Sequence, residues 1–126
     1  MSKIRDFRDL LVWQKAIALG AKSCRLAIRL PTPLQFSRGL QLCKSSVSVP
    51  SNIAEGHEHS TAGYRHHVRI ALGSLAELYT QLVLCVELDA LTRDQWTAME
   101  RDLIEIQRML RALHVALRRP RRRPAD

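Results

Sequence analysis

The histidines come closest, in type and spacing, to a metal-binding or reactive arrangement. They occur in the run Gly56-His57-Glu58-His59, as the adjacent pair His66 and His67, and singly as His114. Adjacent side chains on a helix point to different sides. A His-x-His run without a cysteine or a well-placed acid is a weak metal signature. The sequence therefore predicts no specific metal site and no cofactor.

Catalytic groups are equally sparse. Glu77 and Glu87 invite comparison with carboxylate-bridged iron bundles, but those proteins need Glu-x-x-His pairs on two helices, and the sequence has no such pair. No Gly-rich phosphate loop or nucleophile elbow occurs, and Ser45, Ser46 and Ser48 have no convincing partner base. We therefore expect a protein that is not an enzyme.

The cysteines offer no redox or metal-binding motif. They are far apart, odd in number and without a Cys-x-x-Cys spacing. Each lies in an apolar helical pattern, which favours free, buried thiols: Cys24, Cys43 and Cys85.

The charge of the chain points to polyanionic partners. The formal net charge is +8, and much of the excess lies in an Arg/Pro-rich tail at residues 118–126. Guanidinium forks pair well with phosphates and need not read bases. The candidate nucleic-acid contacts are Lys44, Arg118, Arg119, Arg121, Arg122 and Arg123. The alternative is that the tail is a disordered end that only aids solubility. Net charge cannot decide between the two, because it reports non-specific attraction and not function.

Four amphipathic helices must position these residues. Apolar residues recur in steps of three and four from Leu10 to Ala27, Phe36 to Ala54, Tyr64 to Cys85, and Trp96 to Leu117. That spacing keeps one apolar face along each helix. Short connections place neighbouring helices antiparallel. The sequence predicts an all-α fold, an antiparallel up-down four-helix bundle over residues 1–117 followed by the tail.

Helix boundaries follow from capping and breaking residues. Pro31 and Pro33 close the first helix. The polar segment from Gly56 to Gly63 separates the second and third helices, and Ser60 or Thr61 is expected to cap the third. Thr92 and Gln95 have the spacing of a capping box for the fourth. Pro50 falls inside the second stripe, where we expect a kinked but continuous helix.

The third helix has too much apolar surface for a simple bundle. Behind its core stripe lies a second line of small or apolar residues: Gly73, Ala76, Thr80 and Val83. A helix that is apolar nearly all round is buried nearly all round, so we expect self-association. Cover by the second helix and its loop is the alternative. Glu77, Gln81 and Glu87 interrupt this segment, which argues against a membrane span; with no signal peptide evident, a cytoplasmic location is expected.

Three segments of the chain are familiar. They are 7–16 (FRDLLVWQKA), 48–56 (SVPSNIAEG) and 70–78 (IALGSLAEL), followed by Thr80-Gln81-Leu82. In order and spacing they resemble the four-helix-bundle family first met as open reading frames in bacterial ribosomal RNA intervening sequences. The residues that carry this family motif are Trp13, Pro50, Asn52, Glu55, Gly56, Gly73 and Glu77.

This resemblance implies an architecture more than an activity. The family is similar to the accessory variability proteins of diversity-generating retroelements, which form basic, homopentameric rings that bind nucleic acid and a reverse transcriptase. By that likeness the chain would be a non-catalytic homopentamer with the same kinds of partner. Family members often carry two arginines followed by two alanines where this chain has 43–46 (CKSS), and an arginine where it has Glu58 or His59. These departures shift the expected contact toward the tail.

Two functions remain in view. The first is a non-enzymatic oligomeric protein that binds RNA or DNA through basic surfaces without base readout. The alternative is a protein–protein scaffold or adaptor with no nucleic-acid role. Asn52 and Glu55 are expected to be structural, satisfying loose backbone groups or pairing with Arg65 or Arg69 at the corner between the second and third helices.

Overall fold

The computed structural model describes residues 4–118, and within that range the chain is helical without a β-strand. A short 3-10 helix at Phe7–Asp9 precedes five α-helices: α1 Leu11–Arg29, α2 Thr32–Leu34, α3 Leu40–His57, α4 Thr61–Glu87 and α5 Arg93–Arg118. The prediction of an all-α fold is confirmed. The tail arginines Arg119, Arg121, Arg122 and Arg123 lie outside the described residues.

Helix α1 ends where the prolines predict. Its last residue is Arg29, and Leu30 has an extended backbone (φ −64°, ψ 146°), as expected for a residue that precedes proline. The next helical turn is the three-residue α2, which contains Pro33 in its first turn. A five-residue π-helical turn, Gln35–Gly39, then leads into α3.

Helix α3 runs through its proline. Pro50 lies inside Leu40–His57, which confirms a continuous helix. The ring of Pro50 is buried, so its packing helps offset the backbone hydrogen bond that proline cannot donate.

The corner between α3 and α4 is tighter than expected. Gly56 belongs to α3 and Gly63 to α4. The predicted separation of the two helices within the segment from Gly56 to Gly63 is confirmed, but the connection is only residues 58–60. The physical reason is close helix approach. A Cβ at Gly56 would lie 2.7 Å from the Cβ of His67, and a Cβ at Gly63 would lie 2.7 Å from the Cβ of His59.

The predicted caps are partly confirmed. Gln95 N donates to Thr92 Oγ1 at 3.1 Å and Thr92 N donates to Gln95 Oε1 at 2.9 Å, which forms the expected capping box before α5. Ser60 occupies the N-cap position of α4 but its side chain makes no capping hydrogen bond. Asp89, in the turn after α4, has a positive φ of 57°, a conformation that Asp tolerates better than most residues.

Neighbouring long helices run antiparallel. Ser48 meets Ser74 through their hydroxyl oxygens at 2.6 Å, and Asn52, one turn later on α3, meets His67 earlier on α4. Helices α1 and α5 are antiparallel as well, as the pairs Lys15–Glu105 and Lys22–Asp102 show. Helices α4 and α5 are antiparallel by the contacts Arg65–His114 and Tyr79–Glu100. Helices α1, α3, α4 and α5 thereby enclose one aliphatic core, with Leu42, Ile53, Val68, Ala71, Leu82, Ile106 and Leu110 completely buried.

Helix α4 is the most apolar element. By length and composition alone it is capable of crossing a membrane. One of its faces is buried against α3 and α5, however, through Val68, Ala71, Leu75, Leu78, Leu82 and Cys85. The central helix of a packed domain satisfies the same criterion, so this packing accounts for much of the apolar character of α4. The absence of a membrane span stays a prediction.

Candidate nucleic-acid interface

Three arginines converge on one histidine at the end of the molecule where α4 begins and α5 ends. Arg65 Nε donates to His114 Nε2 at 3.4 Å. Partial burial lowers the pKa of His114, and the positive charges of Arg65, Arg69 and Arg118 lower it further. We call these four residues the basic end. The positive charge of the basic end resides on its arginines, since guanidinium groups stay protonated at neutral pH.

The helical register explains why the basic end forms. Arg65 and Arg69 are four residues apart and so share one face of α4, as do His114 and Arg118 on α5. Antiparallel packing brings these two faces together. Three guanidinium groups on adjacent helices can each donate a pair of hydrogen bonds to phosphate oxygens. This arrangement suits the phosphates of a sugar-phosphate backbone.

The predicted contact residues are only partly brought together. Arg118, assigned to the tail from sequence, is the last residue of α5 and belongs to the basic end. Lys44 is exposed on α3 and lies on the far side of the Ser48–Ser74 contact from Arg65 and Arg69. The remaining tail arginines lie outside the described residues.

Sequence reasoning did not identify Arg65 and Arg69 as nucleic-acid contacts. Their spacing of four residues at the start of the third helix was a usable signal, because it predicts a shared face. What the sequence did not contain was the register that places His114 and Arg118 beside them.

Two lysines of α1 are paired with acids of α5. Lys15 Nζ lies 2.9 Å from Glu105 Oε1, and Lys22 Nζ lies 3.0 Å from Asp102 Oδ2. These exposed pairs contribute little to stability, but they cancel charge along the contact between α1 and α5. The basic end differs from that side of the molecule, because the salt bridges found within residues 4–118 include neither Arg65 nor Arg69.

Family-motif residues build the corner between α3 and α4. Asn52 Nδ2 donates to the Ser48 carbonyl at 2.9 Å, and Asn52 Oδ1 lies 3.0 Å from His67 Nδ1. Glu55 Oε2 lies 3.9 Å from the same His67 nitrogen. Asn52 and Glu55 thus meet His67, where an arginine partner was expected. Gly56 allows the backbone of α3 to approach His67 closely.

The other motif residues lie beside a groove between α1 and α3 or on the exposed surface of α4. Trp13 packs edge-on against Phe7, with ring centroids 5.3 Å apart, and together with Pro50 it lines an apolar groove of about 410 Å³ between α1 and α3. Gly73 and Glu77 are exposed on α4. A Cβ added at Gly73 would meet no atom within 4 Å.

The nucleophile candidates are arranged for packing. Ser46 Oγ donates to the Leu42 carbonyl, and the Ser48 hydroxyl bonds that of Ser74. Burial raises the pKa of the Cys85 thiol, and burial together with the neighbouring Cys43 raises that of Cys24. Protonated thiols are poor nucleophiles, so these groups offer no activated centre.

Comparison with known proteins gives a family and no closer relative. No curated protein matches the sequence significantly. The family model of the 23S rRNA-intervening sequence proteins matches residues 8–112. This span contains the Asn-Ile-Ala-Glu-Gly segment, the α3–α4 corner and two residues of the basic end, Arg65 and Arg69, but not His114 or Arg118. The chain belongs to the 23S rRNA-intervening sequence protein family.

Proposed function

We propose that this protein is a non-enzymatic, self-associating antiparallel four-helix bundle that binds nucleic acid through phosphate contacts. The observation that carries the proposal is the contact of Arg65 Nε with His114 Nε2 at 3.4 Å, which brings the face of α4 that holds Arg65 and Arg69 next to the face of α5 that holds His114 and Arg118. The sequence continues directly from Arg118 into four further arginines. Contacts of this kind give affinity that depends on salt and is indifferent to base sequence.

Replacing two arginines of the basic end tests the proposal. In the double variant Arg65→Gln/Arg69→Gln, affinity for a short RNA duplex at low salt should fall about tenfold or more, and the slope of log affinity against log salt should decrease by about two. Fluorescence anisotropy over a salt series measures both quantities.

The matched control removes the same charge at the other end of α5. Arg93 and Arg101 are exposed on that helix, and Arg93→Gln/Arg101→Gln should change the affinity much less than the basic-end variant does. Equal losses in the two double variants would mean that net charge alone attracts RNA. An unchanged salt slope in the basic-end variant would contradict the proposed site.

Self-association is supported by an apolar surface formed by α1 and α3. Four large aliphatic side chains on these helices are well exposed, namely Ile17 (44%), Ile28 (73%), Leu40 (58%) and Val47 (58%). Ile17 and Val47 line the apolar groove that contains Trp13 and Pro50, and Ile28 and Leu40 line a second groove on the same two helices. Contiguous apolar patches of this kind mark interaction sites. We propose that this α1–α3 surface joins copies of the chain into a homopentamer, the assembly implied by the resemblance to the retroelement accessory proteins.

A charge placed on the α1–α3 surface should dissociate the assembly. Val47→Glu should shift the light-scattering mass from several chains toward one, because a carboxylate buried at an apolar contact loses its hydration. Gln41→Glu adds the same charge at another exposed position of α3 and should leave the mass unchanged. A Val47→Glu protein of wild-type mass would contradict this interface.

The same apolar surface favours a second candidate function, a protein–protein scaffold or adaptor. In that case the α1–α3 surface would bind a different protein, a reverse transcriptase being the partner that the resemblance suggests, and the basic end would contribute only solubility. The scaffold predicts that the basic-end variant behaves like its control in the RNA titration.

A further inference from the structure

Two histidines and a glutamate from different helices come together at the α3–α4 corner. One ligand atom each from Glu55, His59 and His67 lies within 4.8 Å of the others. The imidazole rings of His59 and His67 are stacked, with centroids 5.1 Å apart and planes 18° from parallel. We propose that these three residues bind a divalent transition-metal ion, with Zn²⁺ the ion that the ligand set fits best.

The local backbone is arranged to admit both imidazoles. Gly63 faces His59, whose Cβ and Cγ would lie 2.7 and 3.1 Å from an added Cβ. Gly56 faces His67 in the same way at 2.7 Å. His67 of α4 therefore occupies space that Gly56 of α3 leaves open, and His59, which follows α3, occupies space that Gly63 of α4 leaves open. Any other residue at either glycine would push an imidazole away from the cluster.

His67 also has a partner that orients it. Asn52 Nδ2 donates to the Ser48 carbonyl and hydroxyl oxygens at 2.9 and 3.2 Å, which fixes the direction of the side-chain amide. Asn52 Oδ1, 3.0 Å from His67 Nδ1, must then accept a hydrogen bond. The His67 side chain is only 15% exposed, so its ring is held in place. Histidines that bind metals commonly have such a hydrogen-bond partner.

The ligand chemistry selects the class of ion. Imidazole nitrogen suits zinc, copper and nickel, whereas magnesium and calcium prefer sites made of oxygen alone. Two histidines and one glutamate form a known three-residue zinc set that leaves a fourth position for water. At bond lengths of about 2.0–2.1 Å, tetrahedral ligand atoms lie roughly 3.3 Å apart. Because His67 Nδ1 donates to Asn52 Oδ1, Nε2 is the nitrogen of His67 that would bind the ion. Glu55 and His59 are both exposed and have room to adjust toward it.

A bound ion would join the end of α3 to the start of α4. Glu55 is in the last turn of α3, His59 follows that helix, and His67 is in the second turn of α4. Binding to the folded chain stabilises it in proportion to the logarithm of ion concentration over the dissociation constant. The inference is independent of nucleic-acid binding, because none of the three ligands belongs to the basic end.

Zinc titration of the full chain by calorimetry tests the site. The wild-type protein should bind one Zn²⁺ per chain with a rise in melting temperature. His59→Ala and Glu55→Gln should each weaken binding at least tenfold; both residues are exposed, and circular dichroism checks that the variants fold. The matched control is His66→Ala, which removes an exposed neighbouring histidine outside the cluster and should bind as the wild type does.

Cobalt substitution distinguishes this site from the cysteines. Co²⁺ bound to Glu55, His59 and His67 should show d–d absorption without the thiolate charge-transfer bands that Cys24 or Cys43 would produce. No binding by the wild-type chain would overturn the proposal. So would thiolate bands, or an affinity that His59→Ala leaves unchanged.

Discussion

Replacing Leu78 with alanine is expected to lower the free energy of unfolding by about 3 kcal/mol, within the ~2–5 kcal/mol range of such core truncations. Leu78 is 1% exposed on α4, which contacts both α3 and α5. Truncation removes apolar burial and leaves a cavity that three well-packed helices can close only in part. Urea denaturation followed by circular dichroism measures the change, with the protein concentration fixed because assembly contributes to apparent stability.

Leu84→Ala is the matched control for this prediction. It removes the same atoms from the same helix, but Leu84 is 40% exposed. The loss of stability should be below about 1 kcal/mol, because exposed positions bury less apolar area. Similar losses at the two positions would contradict the core that the structure assigns to α4.

Replacing Gly56 with alanine should destabilise the protein by about 1–3 kcal/mol, the range for overpacked sites. Alanine is the better helix former by about 1 kcal/mol, so propensity alone predicts the opposite sign. The new Cβ would lie 2.7 Å from His67 Cβ and 3.3 Å from the Tyr64 carbonyl oxygen. Because neither is the end of a flexible side chain, α3 and α4 would have to move apart. Thermal or urea unfolding decides the sign.

Gly73→Ala provides the contrast. Gly73 also lies within a helix, but an added Cβ there would meet nothing within 4 Å. In the single chain this substitution should therefore stabilise α4 by about 1 kcal/mol. A clear loss of stability at Gly73 would instead place this residue at a close contact between chains, which would make α4 part of the assembly interface alongside or in place of the α1–α3 surface.

The long helices and the glycines of the α3–α4 corner show which features of the fold can be predicted from the sequence and which cannot. The steps of three and four in apolar residues predicted the four long helices, and the Thr92–Gln95 spacing predicted the cap of α5, because both signals are local. The segment from Gly56 to Gly63 correctly located the break between α3 and α4, but both glycines are helical. Whether a glycine ends a helix or allows another segment to approach closely depends on tertiary packing.

The candidate sites required the register between helices. The His-x-His run did not predict a metal site, because the third member of the cluster, His67, is on α4 and lies near Glu55 and His59 only in the folded chain. Likewise, Arg65 and Arg69 were considered as partners of Glu55, whereas antiparallel packing directs Arg65 to His114 on α5. The structural role of the motif residues Asn52 and Gly56 stays a prediction, and the sequence did not identify the residue that they contact, His67.

The central claim is an assembled helical protein that binds phosphates through its basic end, and the light-scattering mass of the purified protein tests it most directly. The mass should be measured with and without a short RNA or DNA duplex, at low and at high salt. The account predicts a mass near five chains that increases with nucleic acid at low salt only, because counterion release dominates such binding. A monomeric mass, or an assembly whose mass nucleic acid leaves unchanged at low salt, would contradict it.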